Sequence, residues 1–227
     1  MQTLWIANGG YSVKETPNSY RAFLAAANRP FDGLLFSARF TKDHYPICAD
    51  KPYLEQKGTN YYIDQYTLAD LKQLGFFNFP NESTIELTDY LVLAIRYQKQ
   101  IFVKINRNTT FKEIDYLIEQ LKAQEILYQT TLVSAKKEYL VYLRNQDLEL
   151  ELLWETNEYS DELFLDCCKY HFDLLMKVTG FMKKMIYITG LFHEYKLKVG
   201  CIGTDNANSL AKYASIPVDY IFTGGTE

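Results

Sequence analysis

Six polar side chains stand at or just past the ends of short β-rich runs, or in the loop that follows one: Asn8, Ser37, Asp50, Lys104, Asn106 and Asp205. Ser134 and Thr223 hold similar positions. As a set they are better suited to binding than to bond-breaking. Lys104 is the one obvious partner for an anion, since its ammonium carries a charge and three donors. The asparagine, serine and threonine groups add hydrogen bonds without charge. Taken singly, each is also accounted for as a polar group that caps a strand end. The more reactive side chains are placed less usefully. His44 falls in the turn after the second β run, His171 late in a helix and His193 in a Lys/Glu-rich helical stretch. All three are expected to be surface or helix-end histidines. Cys48 and Cys201 could approach the same end of the fold, but one lies in the loop and the other mid-strand, so packing explains both.

The elements that position these residues follow from periodicity. β-rich runs occur at Leu4–Ala7, Leu34–Phe40, Ile101–Ile105, Thr131–Ser134, Leu148–Trp154, Phe172–Met176, Val199–Ile202 and Tyr220–Phe222. Helical patterns separate most of them. Asn18–Ala27 places Tyr20, Phe23, Leu24 and Ala27 on one face, and Thr110–Gln124 repeats Phe111, Ile114, Leu117, Ile118 and Leu121. Ser83–Tyr97 opens on a Ser/Thr with an acid three residues on, which reads as a capping box. Ser160–Tyr170 begins with an N-cap serine before two acids, and Asp205–Tyr213 follows the last glycine-bearing strand. Strands alternating with helices imply a parallel sheet, and eight of them imply a closed (β/α)8 TIM barrel rather than an open sheet. The segment Tyr45–Gln65 is polar and helix-poor, and is expected to form an extended loop or hairpin over the barrel mouth.

Composition sets the outer limits. At 227 residues the chain fits one slightly trimmed barrel, a fold that commonly takes about 250 residues. No linker or repeat divides it, so residues 1–227 are read as one domain. A net charge of -4 with scattered basic residues gives no general attraction for nucleic acid. No apolar run approaches the ~20 residues of a membrane span. The four cysteines lack CxxC spacing, and the first strand starts at Thr3 without a signal-like segment before it. A reduced, cytoplasmic protein is expected.

Several stretches in order resemble the glycerophosphodiester phosphodiesterase family, a PLC-like phosphodiesterase barrel. They are Ile6–Tyr11, Pro17–Phe23, Asp32–Asp43 and Tyr66–Leu74, with a return at Leu197–Asp205 and Val218–Gly225. The middle is anchored mainly by Phe102–Asn106. In that family the first strand ends His-Arg-Gly and the second reads Gly-x-Glu-x-Asp-x-x-x-Thr-x-Asp. The resemblance implies hydrolysis of deacylated phospholipids, with a divalent metal held by carboxylates and two histidines as acid and base. In this chain the first histidine falls at Asn8, the arginine at Gly9 and the two acids at Leu35 and Ser37. The second histidine falls at Asp50, or at Ala49 with a one-residue shift, and the acid after it at Lys51. The later metal acid falls near Lys104, the phosphate-binding lysine near Asn106 and a tryptophan at Ile202.

Leucine cannot bind a cation and asparagine does not titrate near neutrality. The expectation is therefore a degenerate member of the family, a pseudoenzyme without catalytic residues or metal, that binds a small phosphorylated or polyol ligand or a protein partner. Lys104 is expected to replace the charge of the metal and to pair with Asp50. The alternative is a phosphoric diester hydrolase of lipid metabolism with a rearranged site, using Asp50 as base and Lys104 and Asn106 to hold phosphate. A third reading keeps a reduced metal site through Asp32, Asp43, Asp50 or Asp64.

Overall fold

The computed structural model describes residues 2–78, 82–177, 182–203, 211 and 213–225. In chain order the strands begin β1 (Leu4–Asn8), β2 (Gly33–Phe40), β3 (Pro46–Cys48), β4 (Tyr53–Gln56) and β5 (Thr59–Tyr62). They continue β6 (Gln100–Ile105), β7 (Thr130–Ser134), β8 (Glu151–Thr156), β9 (Asp173–Lys177), β10 (Val199–Ile202) and β11 (Tyr220–Thr223). The helices are α1 (Tyr20–Ala27), α2 (Leu68–Gln73), α3 (Leu87–Arg96), α4 (Phe111–Ala123), α5 (Lys137–Gln146), α6 (Asp161–Tyr170) and α7 (Met182–Glu194).

The strand order β1-β11-β10-β9-β8-β7-β6-β2, with β1 also paired to β2, closes the parallel sheet into the expected (β/α)8 barrel. Leu4 sits beside Tyr220 and Ile6 beside Gly33, so both seams of β1 are in register. Alternation explains why these strands read as apolar runs rather than as one-sided strands. Leu35, Phe102, Val133, Leu153, Leu175 and Phe222 fill the interior. Their neighbours Phe36, Val103, Leu132, Leu152, Leu174 and Ile221 join the layer packed under the helices. The ring of Phe102 meets Tyr220 and Phe222 edge-on at centroid distances of 5.4 and 5.3 Å. Gly33 makes room for it: a Cβ there would stand 3.1 Å from Phe102 Cε2 and 3.0 Å from the Gln100 carbonyl.

Local signals set most helix starts. Ser19 accepts from Ala22 N at 3.1 Å, and Ser160 accepts from Leu163 N at 3.1 Å. Thr110 and Glu113 form a reciprocal capping box. The box expected at Ser83 does not form. Helix α3 begins at Leu87 with no side-chain cap, because the preceding residues are used elsewhere. Thr84 Oγ1 donates to the Cys48 carbonyl, Cys48 N donates to Ile85 O, and Glu86 bridges to Ile47. Pairing with β3 therefore holds 84–86 extended. The run expected at Leu148 starts instead at Glu151 and reaches Thr156, since Asp147 Oδ1 turns the chain by accepting from Glu149 N. Asp205 and most of the expected helix Asp205–Tyr213 lie outside the described residues.

The segment 45–65 forms the expected cover. β3 pairs antiparallel with the upper half of β2, and β4 and β5 make a hairpin. Ile47, Leu54, Ile63, Leu71 and Phe76 give it a small apolar core of its own. Among the described residues no helix is long and apolar enough to cross a membrane.

Candidate functional site at the barrel mouth

Parallel strands all present their C-terminal ends at one face, so strand-end side chains converge there. β1 delivers Asn8, half-buried, into the turn Gly9-Gly10. That turn needs glycine: Gly10 has φ +82°, and a Cβ would stand 2.4 Å from the Ala22 backbone. The close approach lets Tyr11 N donate to Ala22 O at 2.8 Å, which docks α1 on the mouth.

β2 and β6 bring Ser37 and Asn106 together. Asn106 Nδ2 donates to Ser37 Oγ at 3.3 Å and to the Ala38 carbonyl at 2.7 Å. Lys104 is near them, but its partner differs from the expected one. Lys104 Nζ lies 2.6 Å from Glu155 Oε2, across β7 on strand β8. Asp50 is committed elsewhere. Its carboxylate accepts from Asn18 Nδ2 at 3.2 Å, and its carbonyl accepts from Arg39 Nε and Nη2 at 3.2 and 2.6 Å. The expected Lys104–Asp50 pair is therefore corrected to Lys104–Glu155. The reason is geometric: period-2 alternation turns Glu155 inward two residues after Leu153, whereas Asp50 follows β3 out of the barrel.

A cavity of about 340 Å³ opens at this point, bounded by Arg39, Lys104, Asn106, Arg107, Asn108 and Glu155. Among the described residues lining it are three cations and one acid, in a chain whose net charge is negative. Burial pulls the Arg39 guanidinium below its usual range, and the nearby Asp50 carboxylate offsets this only in part. A smaller cavity of about 100 Å³ adjoins it, sharing Arg39 and Asn106 and reaching Asp64 under the hairpin. Ser134 and Thr223 close their own strand ends: Ser134 Oγ contacts the Ile105 carbonyl and Lys136 N, and Thr223 Oγ1 accepts from Gly225 N.

Other groups that could react are held away from this cavity or silenced. Burial pushes the Cys48 thiol well up and the Cys201 thiol up to about 12. His44 lies 3.6 Å from Glu113, His171 caps α6 with φ +54°, and His193 contacts Asp219 at 2.8 Å on the far side of the barrel wall. Asp32 accepts from Trp5 N, and Asp43 accepts from Thr41 Oγ1 and Leu68 N. Burial raises Asp43, but those bonds outweigh it and leave the carboxyl below its usual range. Among the described residues no three His, Cys, Asp or Glu side chains gather as a metal site would require. Among the described residues lining this cavity the one carboxylate is paired with an ammonium, a set that does not fit a divalent cation.

Arg39, Arg107 and Glu155 were not singled out from the sequence. Arg39 follows Ser37 by two positions on the same strand, so alternation along β2 was the signal available for it.

No known family profile and no curated protein matches the chain by sequence. Solved structures do match. The phosphodiesterase of Oleispira antarctica, in complex with the product sn-glycerol-3-phosphate, superposes with a TM-score of 0.82 at 15% identity, covering 98% of this chain and 93% of that one. The glycerophosphodiester phosphodiesterase of Thermotoga maritima gives 0.79 at 17% identity, with 99% and 95% covered. That of Parabacteroides distasonis gives 0.77 at 16% identity, with 98% and 93% covered. Over nearly its whole length, the chain has the fold of the glycerophosphodiester phosphodiesterases.

Proposed function

We propose that this barrel is a pseudoenzyme of the phosphodiesterase type, which binds a small phosphorylated polyol at its mouth without a metal and without hydrolysing it. The observation that carries the reading is the 2.6 Å contact of Lys104 with Glu155. The pair fixes the Lys104 ammonium in the mouth while Glu155 offsets its charge, so the positive surplus comes from the two arginines that line the same cavity. These are Arg39 and Arg107, and guanidinium groups match phosphate oxygens in geometry as well as charge. Asn106 and Ser37 supply neutral polar groups beside them. The Oleispira protein holds sn-glycerol-3-phosphate, so that compound is the first ligand to test.

Hydrolysis with a rearranged site is the less supported reading. It would ask Asp50 to act as base, yet that carboxylate is bonded to Asn18 and belongs to the covering loop. Calorimetric titration with Mg²⁺, Ca²⁺ and glycerol 3-phosphate, followed by a glycerophosphodiester hydrolysis assay, tests both. Binding of glycerol 3-phosphate in chelator, no metal binding and no turnover are expected. Metal-dependent turnover would overturn the proposal and make Asp50 and Asp64 the first residues to replace.

A further inference from the structure

Glu155 is an odd group to find in an anion-binding cavity. Its side chain is 20% exposed, and among the described residues Oε2 is buried with no partner beyond the Lys104 contact. A carboxylate accepts up to about four hydrogen bonds, and leaving that capacity unused in a half-buried place is costly. The neighbouring donors do not serve it. Asn106 Nδ2 is spent on Ser37 and Ala38, and Arg39 Nε and Nη2 are spent on the Asp50 carbonyl. The same carboxylate repels any purely anionic ligand that approaches Lys104. A ligand that brings its own donor turns the repulsion into a bond.

The geometry points to Glu155 as the residue that sets ligand choice. A phosphorylated polyol donates a hydroxyl to the Glu155 carboxylate while its phosphate meets Lys104, Arg107 and the Nη1 side of Arg39 that the Asp50 carbonyl leaves unused. A phosphate ester lacking that hydroxyl finds only the repulsion. This selection works through attraction and rejection together. It rests on the anion-binding reading given above, and adds to it the residue that tells one phosphate ester from another. The cavity of about 340 Å³ falls within the usual range for small ligands.

The test is calorimetry in metal-free buffer with three probes, glycerol 3-phosphate, propyl phosphate and inorganic phosphate. The proteins are the wild type, Glu155→Gln and Glu155→Ala. Wild type should prefer glycerol 3-phosphate over propyl phosphate by about 10-fold, the scale of one hydrogen bond to a charged group. Glu155→Ala should reduce that ratio to about twofold or less. Glu155→Gln, which keeps the shape and removes the charge, should bind propyl phosphate and inorganic phosphate more tightly than wild type does. It also keeps the test decisive if the alanine variant folds poorly. An unchanged ratio in the variants, or no preference in wild type while all three probes bind, would overturn the role of Glu155 and leave the anion-binding reading standing. Failure of every probe to bind wild type would remove both.

Discussion

Lys104 and Glu155 hold each other at 2.6 Å from strands two apart, and their side chains keep only 26% and 20% of their exposure. Removing one partner leaves a half-buried charge without its counterion, which costs far more than removing both. Lys104→Met should lower stability by about 1–3 kcal/mol, less than for a fully buried pair because solvent still reaches both groups. The Lys104→Met/Glu155→Leu double variant should recover most of that loss in urea unfolding. Equal loss in the single and the double variant would mean that the unpaired Glu155 carboxylate is not what makes the single variant costly. At this scale the sequence named Lys104, Ser37 and Asn106 as mouth residues and the cavity or its edge holds all three. It did not name Glu155, whose importance depends on strand β8 ending two residues later than its apolar pattern suggests.

Elements respond to their own ends. Thr110 N donates to Glu113 Oε2 at 2.7 Å while Thr110 Oγ1 accepts from Glu113 N at 3.3 Å, so α4 starts with two otherwise orphaned amides satisfied. Thr110→Ala should cost about 1 kcal/mol in denaturant unfolding, and an unchanged midpoint would mean that packing of Ile114, Leu117 and Leu121 alone fixes the start of the helix. The same kind of signal misleads at Ser83. There the backbone of 84–86 gains partners on β3, and those tertiary contacts outweigh the capping box even though Ser83 Oγ is left buried without a hydrogen bond among the described residues. Helix starts at Ser19 and Ser160 were legible because nothing competes for those residues. The cover segment was legible as a hairpin-like stretch from its lack of helical period. Its docking on β2 was not, because antiparallel pairing of Pro46–Cys48 with Ala38–Phe40 joins residues six to ten positions apart across a turn whose type the sequence does not mark.

Across the whole molecule the two ends of the barrel divide the work. The mouth gathers Arg39, Lys104 and Arg107. At the opposite end, Lys198 contacts Glu151 at 3.1 Å, while Asp173 Oδ1 accepts from Lys198 N at 2.7 Å. Burial pushes the Asp173 carboxyl up to about 7, since Lys198 Nζ stays 4.0 Å away and is shared with Glu151. The folded protein therefore holds this proton more tightly than the unfolded chain does. That contribution to stability is complete below the ordinary carboxylate range and is lost as pH rises through about 7. Thermal unfolding followed from pH 5 to pH 8 should show a falling midpoint, and Asp173→Asn, which keeps the acceptor for Lys198 N, should flatten it. An equal slope in the two proteins would place the pH dependence in other groups.

The sequence by itself determined the alternation of strands and helices, the closure into a barrel, and which strand ends carry polar rather than acidic groups. Period, caps and residue type at a strand end are local, written within a few positions of each other, and closure was inferred from the number of strands they mark out, although it pairs β1 with β11 from opposite ends of the chain. Only the tertiary structure decided that Lys104 faces Glu155 rather than Asp50, that Arg39 bends toward the covering loop, and that 84–86 extends along β3 instead of starting a helix. Each of these is a choice among partners far apart in the chain. Such choices are settled by the direction in which packed strands turn their side chains, and by which buried charge or amide would otherwise be left unpaired.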